Sequence, residues 1–225
     1  ILESMIERHV AAIEIQIPFS DPVADGPVLM QANDHAMKAG IYRQDVIELM
    51  RATEYGETTA LIMCYYQSLF NDEIVEFVRQ AIDAGCEGFI VPDLPFDSSD
   101  MEDLLENIPE LRQSFVPVVS PGMSDARLSE LQQTLDPQMI YVTARKGITG
   151  AETVFGKELS QLTRKLRELF PNSRLAIGFG IKSNRDVRSA LNFGDIAVVG
   201  SALTAAYEKS YDEFVALMDE LVDSV

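Results

Sequence analysis

The chain has 225 residues, 47% of them hydrophobic and 24% charged, and its formal net charge is −18 at pH 7. This excess of acid disfavours nucleic acids and anionic membranes as partners, because their phosphates would be repelled. No apolar run is long enough to span a bilayer, and the first residues lack the layout of a secretory signal. The length suits one large α/β domain.

Seven short apolar segments predict the strands of a parallel sheet. Most are nearly continuous in Val, Ile and Leu, as expected when helices cover both faces of the sheet. In chain order they are residues 11–17, 59–63, 88–91, 115–119, 139–142, 175–178 and 196–199.

Amphipathic segments between these strands predict helices. Residues 72–84 show the pattern best, because apolar residues recur at three- and four-residue steps and Asp72 is placed to cap the N-terminus. Ser183 and Asp186 have nearly the spacing of a capping box at another helix start. The other predicted helices are residues 41–53, 101–112, 125–135, 157–169, 183–192 and 211–225, and an amphipathic helix is already under way at residues 1–8.

Strict alternation of strands and helices predicts either a doubly wound sheet or a closed βα barrel. Seven strands are one fewer than the eight of a TIM (β/α)8 barrel. Because the chain opens on a helix, we expect the remaining strand upstream of Ile1. The expected architecture is therefore a single barrel domain over residues 1–225 that lacks its first strand and is incomplete at its N-terminus.

Three glycine-bearing loops follow predicted strands at the same end of the barrel. Such barrels often bind phosphate after their last two strands, through backbone N–H groups and a short helix N-terminus. Residues 178–183 follow the sixth strand, residues 200–203 follow the seventh, and residues 145–150 form a similar loop after the fifth. Each glycine alone is consistent with an ordinary turn, but their shared placement predicts a phosphate site. They do not complete a dinucleotide-binding fingerprint.

Two carboxylates are candidates for proton transfer. Glu14 stands among apolar residues of the first strand, where a carboxylate is costly unless it is paired, hydrogen-bonded or protonated. Asp25 follows 11 residues later in a loop with three prolines. In an apolar barrel mouth the pKa of a glutamate rises toward neutrality, which suits acid–base catalysis. The alternatives are a structural ion pair with a buried base for Glu14 and an ordinary turn for Asp25, which precedes glycine.

The remaining polar candidates have simpler explanations. Asp93 lies between two prolines, so a turn is favoured over a third pocket acid. His9 and His35 have no partner spacing, so we interpret both as helix-surface or core residues and expect no histidine triad. Cys64 and Cys86 match no metal spacing and predict buried, reduced thiols in a cytoplasmic protein. The carboxylates show no EF-hand or HExxH pattern, and we predict no metal.

Aromatic residues at or near strand ends are candidates for the wall of an apolar pocket. They are Tyr65, Tyr141 and Phe179, although core or rim packing explains any one of them alone. An apolar pocket beside a phosphate site indicates a substrate with an aromatic end and a phosphate end.

The motifs together resemble the tryptophan synthase alpha subunit family. IPFSDPVADGP carries the most specific similarity, and MCYYQSLF, GFIVPDLP, VSPGMSDARL, ARKGITGAET, IGFGIKS and VVGSAL follow in order over residues 13–203. The resemblance implies a TIM barrel lyase of tryptophan biosynthesis that cleaves indole-3-glycerol phosphate to indole and glyceraldehyde 3-phosphate by a retro-aldol reaction. It implies no cofactor for this subunit. The implied partner is a pyridoxal-phosphate beta subunit in an α2β2 heterotetramer.

The resemblance also implies roles for residues. Glu14 matches the acid–base group that protonates the indole ring carbon and handles the glycerol hydroxyl, and Asp25 matches the group that accepts a hydrogen bond from the indole N–H. The implied phosphate contacts are Gly150, Gly180, Gly200 and Ser201. The implied indole pocket and mobile loop contain Tyr65, Tyr141, Thr149 and Phe179. Gln16 departs from the family pattern, because a glycine is common at its position.

Two other functions are consistent with the residues. One is a phosphate-binding barrel isomerase or aldolase with a different substrate. The other is a non-catalytic regulatory subunit, against which the presence of both Glu14 and Asp25 argues.

Overall fold

The computed structural model describes residues 1–69, 74–143, 156–178 and 180–223. Its strands are β1 (Ala12–Gln16), β2 (Thr59–Met63), β3 (Gly88–Ile90), β4 (Val118–Val119), β5 (Met139–Thr143), β6 (Arg174–Gly178) and β7 (Ile196–Ala197). Its helices are α1 (Leu2–Ile6), α2 (Pro27–Lys38), α3 (Arg43–Ala52), α4 (Tyr66–Leu69), α5 (Ile74–Asp83), α6 (Ser99–Asn107), α7 (Leu111–Ser114), α8 (Asp125–Thr134), α9 (Lys157–Leu169), α10 (Asn184–Leu191), α11 (Ser201–Lys209) and α12 (Tyr211–Val222).

The strands pair in chain order, and every pair is parallel. One ladder contains β1, β2 and β3, and a second contains β4 to β7. A parallel bridge between Phe89 and Phe115 connects the two ladders. Parallel strands that follow one another in this order, each with helical cover, form a βα barrel. The predicted TIM barrel class is confirmed, with seven strands in the part of the chain that the structure describes.

Alternate positions along the strands separate two apolar clusters. The cluster outside the sheet contains Ile62, Ile140 and Ile177 and packs against the helices. The cluster inside the barrel contains Leu61, Met63, Tyr65, Ile90, Val116, Met139, Ala176 and Ile196, with Ala12 and Tyr141 packed against it. Because side chains alternate along a strand, residues two and four positions after Ala12 also point into the barrel. These residues are Glu14 and Gln16.

Most predicted strands are confirmed, but the helix predicted over residues 101–112 is not continuous. It is divided into α6 and α7, because Pro109 has no N–H to donate within a continuous helix. Three helices were not predicted: α2, α4 and α11. The predicted capping box of α10 is present, since Ser183 and Asp186 each bond the backbone of the other. Asp72, the predicted cap of α5, lies outside the described residues.

The predictions for the cysteines and histidines have mixed outcomes. Cys64 and Cys86 are both buried and free, as expected. His35 lies on the exposed face of α2, with Nδ1 3.4 Å from Oε1 of Glu208. His9 lies in the turn after α1 with a φ of 53°, rather than on a helix or in the core. None of the described helices is long and apolar enough to cross a membrane.

Candidate active site

Glu14 lies in the middle of β1 with its side chain directed into the barrel. The side chain is in contact with water. Because it points into the barrel, protein atoms nevertheless surround it on most sides and displace part of its hydration. Desolvation by these atoms, and then the negative charge of Asp25, raise the pKa of Glu14 to about 7. No cation among the described residues contributes to this pKa. The alternative of an ion pair with a buried base therefore finds no support in this part of the chain.

Asp25 is buried, with 7% of its surface exposed, and three side-chain donors hold its carboxylate. Gln16 Nε2 donates to Oδ2 over 2.6 Å, and Asn33 Nδ2 donates to the same oxygen over 3.4 Å. The third donor is the hydroxyl of Tyr65. Burial raises the pKa of Asp25, and these hydrogen bonds oppose the rise because they favour the ionised form. Asp25 is therefore part of a polar network, in addition to forming a turn.

Asn33 fixes the loop that carries Asp25. Its Oδ1 accepts a hydrogen bond from the backbone N–H of Phe19 at 3.2 Å, and its Nδ2 also donates to the carbonyl of Leu29 at 3.1 Å. The loop is closed further by the N–H of Asp25, which donates to the carbonyl of Pro22 at 3.0 Å. We did not identify Asn33 from the sequence, because it lies on the unpredicted helix α2 and belongs to no motif that indicates a function.

Tyr65 forms the wall between this loop and β2. It follows the strand, is fully buried, and accepts a hydrogen bond from the backbone N–H of Ala24 at 3.1 Å. Its ring stacks on that of Phe19, with 5.5 Å between centroids. Burial, and then the charge of Asp25, raise the pKa of the Tyr65 hydroxyl, so this hydroxyl remains a neutral donor. The predicted pocket aromatic is thus in direct contact with the predicted loop acid.

Asp93 does not join the two acids. Its Oδ1 accepts a hydrogen bond from the backbone N–H of Tyr66 at 2.6 Å, and its Oδ2 accepts one from Gln67 at 3.2 Å. These N–H groups belong to the first turn of α4, where a carboxylate is a favourable partner. Asp93 is therefore a structural residue that fixes the chain directly after Tyr65.

Tyr141 faces the carboxylates from β5. Burial raises the pKa of its hydroxyl, and the charges of Glu14 and Asp25 raise it further. Its ring lies against Gly178 at the end of β6, where any Cβ would collide with the tyrosine ring. Gly178 is thus needed to make room for Tyr141. The sequence shows only that a glycine lies at the end of this strand and does not reveal this role.

The two glycine loops after β6 and β7 lie at the carboxyl ends of the parallel strands. Gly180 has a φ of 79°, a conformation that favours glycine. Gly200 is the N-cap of α11, and no atom of the described residues lies within 4 Å of the position that a Cβ would take there. Among the described residues, no side chain caps this helix, which begins at Ser201, so its first N–H groups are suited to receive an anion. Three other predicted site residues lie outside the described residues: Thr149, Gly150 and Phe179.

A separate groove of about 480 Å³ lies on the outside of the barrel, between α9 and the turn after α10. Its charged groups are Arg164, Arg167 and Asp195. Asp195 is already bound, since it accepts hydrogen bonds from Arg167 and from the backbone N–H of Leu175, both at 2.7 Å. The groove brings together no acid–base pair, so we place the chemistry inside the barrel. Among the residues described, no cluster of His, Cys, Asp and Glu could hold a metal ion.

A parallel βα barrel with two neighbouring carboxylates and glycine-bearing loops at the carboxyl ends of its strands has the architecture of a barrel enzyme. The family model described as "Tryptophan synthase alpha chain" matches residues 1–223. This chain belongs to the tryptophan synthase alpha chain family, and the resemblance seen in its motifs is confirmed.

Relatives in sequence support this assignment. The tryptophan synthase alpha chain of Desulforapulum autotrophicum is 37% identical over 210 residues, which cover 92% of this chain and 81% of that protein. The alpha chain of Petrotoga mobilis is 33% identical over 210 residues, which cover 93% of this chain and 80% of that protein.

Solved structures support the same fold. A tryptophan synthase structure from Mycobacterium tuberculosis has a TM-score of 0.86 at 25% identity and covers all of this chain and 84% of that one. A structure from Aquifex aeolicus has a TM-score of 0.84 at 30% identity and covers all of this chain and 86% of that one.

Proposed function

We propose that Glu14 and Asp25 carry out the reaction of this lyase, the retro-aldol cleavage of indole-3-glycerol phosphate to indole and glyceraldehyde 3-phosphate. The observation that carries the proposal is the position of the Glu14 carboxyl group and the effect of that position on its pKa. Its carboxyl group lies inside the barrel beside Asp25, and its pKa is raised to about 7. A group whose pKa is close to the ambient pH can both give and take a proton in one catalytic cycle.

The reaction needs one proton at the indole ring carbon and releases one from the glycerol chain. Protonated Glu14 donates to the ring carbon that carries the chain, and positive charge develops on the ring nitrogen. Ionised Glu14 then takes the proton of the adjacent glycerol hydroxyl, and the bond between ring and chain breaks. The electron pair of that bond returns to the ring, which leaves as indole, and the chain leaves as the aldehyde. The proton balance closes on Glu14.

Asp25 is suited to stabilise the intermediate charge. Its carboxylate accepts hydrogen bonds from Gln16, Asn33 and Tyr65, which favour the ionised form and fix its position before the substrate binds. A preorganised negative group beside the indole N–H stabilises the developing positive charge without having to reorient. The same negative charge raises the pKa of Glu14 and keeps part of it protonated near neutrality.

The phosphate of the substrate is proposed to bind at the glycine loops. The chain carries a net charge of −18, so an anionic substrate needs local donors. Gly180, Gly200 and Ser201 supply backbone N–H groups and one hydroxyl there, and the positive end of the α11 dipole adds to them. Gly150 is proposed as a further contact, and Tyr65, Tyr141, Thr149 and Phe179 as the residues around the indole.

We also propose that the protein is a single-domain cytoplasmic subunit, without nucleic acid or membrane as partner, that joins a beta subunit in an α2β2 heterotetramer. A product as small and apolar as indole would be lost unless it were passed directly to the next enzyme. Val23 in the loop of Asp25 and Met30 on the following helix α2 are 65% and 48% exposed and are available for docking. Size-exclusion chromatography with the beta subunit tests this proposal, and separate elution at high protein concentration would contradict it.

The proposed chemistry is tested by Glu14→Gln, which keeps the shape of the side chain and removes its titration. We expect indole release to fall by about 10³-fold, within the range of general acid–base catalysis. Binding of glycerol phosphate, which uses the glycine loops, should be unchanged. Glu48→Gln, at an exposed position of α3, is the control and should retain normal turnover. Near-normal cleavage by Glu14→Gln would refute the role of Glu14.

A further inference from the structure

Gln16 connects the strand that carries Glu14 to the loop that carries Asp25. It lies two positions after Glu14 on β1 and therefore points to the same side, into the barrel. Its Nε2 donates to Asp25 Oδ2 over 2.6 Å. We propose that Gln16 is a positioning residue, which fixes the Asp25 carboxylate beside Glu14 in the orientation that the cleavage requires. This inference depends on the proposed function for its catalytic consequence.

The surroundings of Gln16 explain why its amide must be bound. In the β1–β2 register Gln16 lies beside Met63, and Glu14 lies beside Leu61. Both neighbours belong to the apolar cluster inside the barrel. An amide on an apolar wall is costly unless it is hydrogen-bonded, and the carboxylate of Asp25 supplies the partner.

Gln16 donates to Asp25 from the end of a strand, which holds the donor in place. The end of β1 is fixed to β2, because the N–H of Ile17 donates to the carbonyl of Met63 at 2.9 Å. Asn33 is 3.4 Å from Asp25 and shares its amide with the carbonyl of Leu29. Since a short hydrogen bond to an ionised acceptor is the stronger kind, the Gln16 bond defines the position of the carboxylate best.

The groups around the two acids determine how the loss of Gln16 would act. Glu14 faces Asp25 from β1, Tyr65 faces it from the end of β2, Tyr141 from β5 and Asn33 from α2. Asp93 adds its charge next to Tyr65. The hydrogen bond of Gln16 is the largest influence that lowers the pKa of Asp25. Without this hydrogen bond, Asp25 would become protonated at a higher pH. Once protonated, Asp25 would no longer raise the pKa of Glu14.

The experiment is Gln16→Met, which has a similar length but no donor. We expect the acidic limb of the pH profile of kcat/KM for indole release to move up by about one pH unit, because a hydrogen bond to a charged group is lost. At neutral pH kcat should fall about tenfold with less than about a threefold change in KM, since the loss concerns the transition state. Titration of the Asp25 carboxyl by carbon-13 NMR should show its pKa rising by the same amount.

A matched control is available on the surface. Gln80 of α5 donates its amide to Glu76 over 3.0 Å at an exposed site. Gln80→Met therefore removes a bond of the same kind and should leave the pH profile unchanged. Should Gln16→Met fail to fold, Gln16→Asn keeps the amide but shortens its reach, and the same shift is expected.

The inference and the proposed function fail in different ways. A wild-type protein that releases no indole refutes the proposed function, while the NMR titration still tests Gln16. A wild-type protein that is active, together with a Gln16 variant whose pH profile and Asp25 titration are unchanged, overturns the inference alone. A variant that loses only stability does the same.

Discussion

Two regions of the site are built by different means. The acid end consists of β1, the end of β2 and the loop between β1 and α2, and its proposed function depends on the side chains of Glu14, Gln16 and Asp25. The glycine end consists of the loops after β6 and β7, and its proposed function depends on backbone conformation and on the absence of side chains at Gly178 and Gly200. In the proposed function, the acid end therefore controls charge and proton transfer, whereas the glycine end controls space and phosphate binding. Substitutions at the two ends should have effects of different kinds.

The largest effect is expected at the acid end, from Asp25→Asn. The amide cannot supply the negative charge that stabilises the protonated indole, so kcat should fall by about 10²- to 10³-fold, as for other preorganised electrostatic groups. Steady-state indole release measures this loss. Asp34→Asn, on the exposed face of α2, is the control. Equal effects of the two substitutions would show that the acid end does not depend on Asp25.

A change in stability, with no change of charge, is expected from Gly178→Ala. The new Cβ collides with the ring of Tyr141, and overpacking of this kind lowers the free energy of unfolding by about 1–3 kcal/mol. Gly156→Ala is the matched control, because no atom in the described part of the chain lies within 4 Å of its Cβ position. It should lower the free energy of unfolding by about 0.5 kcal/mol as an N-cap substitution. Urea denaturation compares the two, and equal losses would contradict the described packing.

The smallest effect is expected from Ser201→Ala. The backbone N–H groups of α11 remain, and only one hydroxyl is lost, so KM should rise about fivefold with kcat unchanged. Ser189→Ala is the control, since its hydroxyl donates to the carbonyl of Arg185 within α10. A fall in kcat without a change in KM would place Ser201 in the chemistry rather than in phosphate binding.

The same contrast explains what the sequence could predict. Glu14 could be recognised because a carboxylate in an apolar strand is unusual, and the few residues around it are enough to show this. The glycine loops could be recognised because they follow strands, whose continuous apolar runs are easy to identify. Tertiary hydrogen bonds leave no such local pattern. The bonds from Gln16 and Asn33 to Asp25 depend on how the loop folds back on β1 and α2.

Helix α2 illustrates this limit. Within this helix only Asn33 is buried, while Met30 and Met37 are exposed. Its sequence therefore lacks the apolar stripe that predicts an amphipathic helix. Asp93 shows a related case, because its partners at the start of α4 lie 26 and 27 residues away in the chain. The turn expected there was a local feature, but its capping role became visible only in the fold.

The central claim is that Glu14 is a proton-transfer group whose titration is set by its place in the barrel and by Asp25. Carbon-13 NMR titration of the Glu14 carboxyl tests this claim most directly. We predict a pKa of about 7, so that the group is protonated below and ionised above that pH. In Asp25→Asn the pKa should fall, because the neighbouring negative charge is removed. An ordinary value of about 4.5 in both proteins would contradict the account.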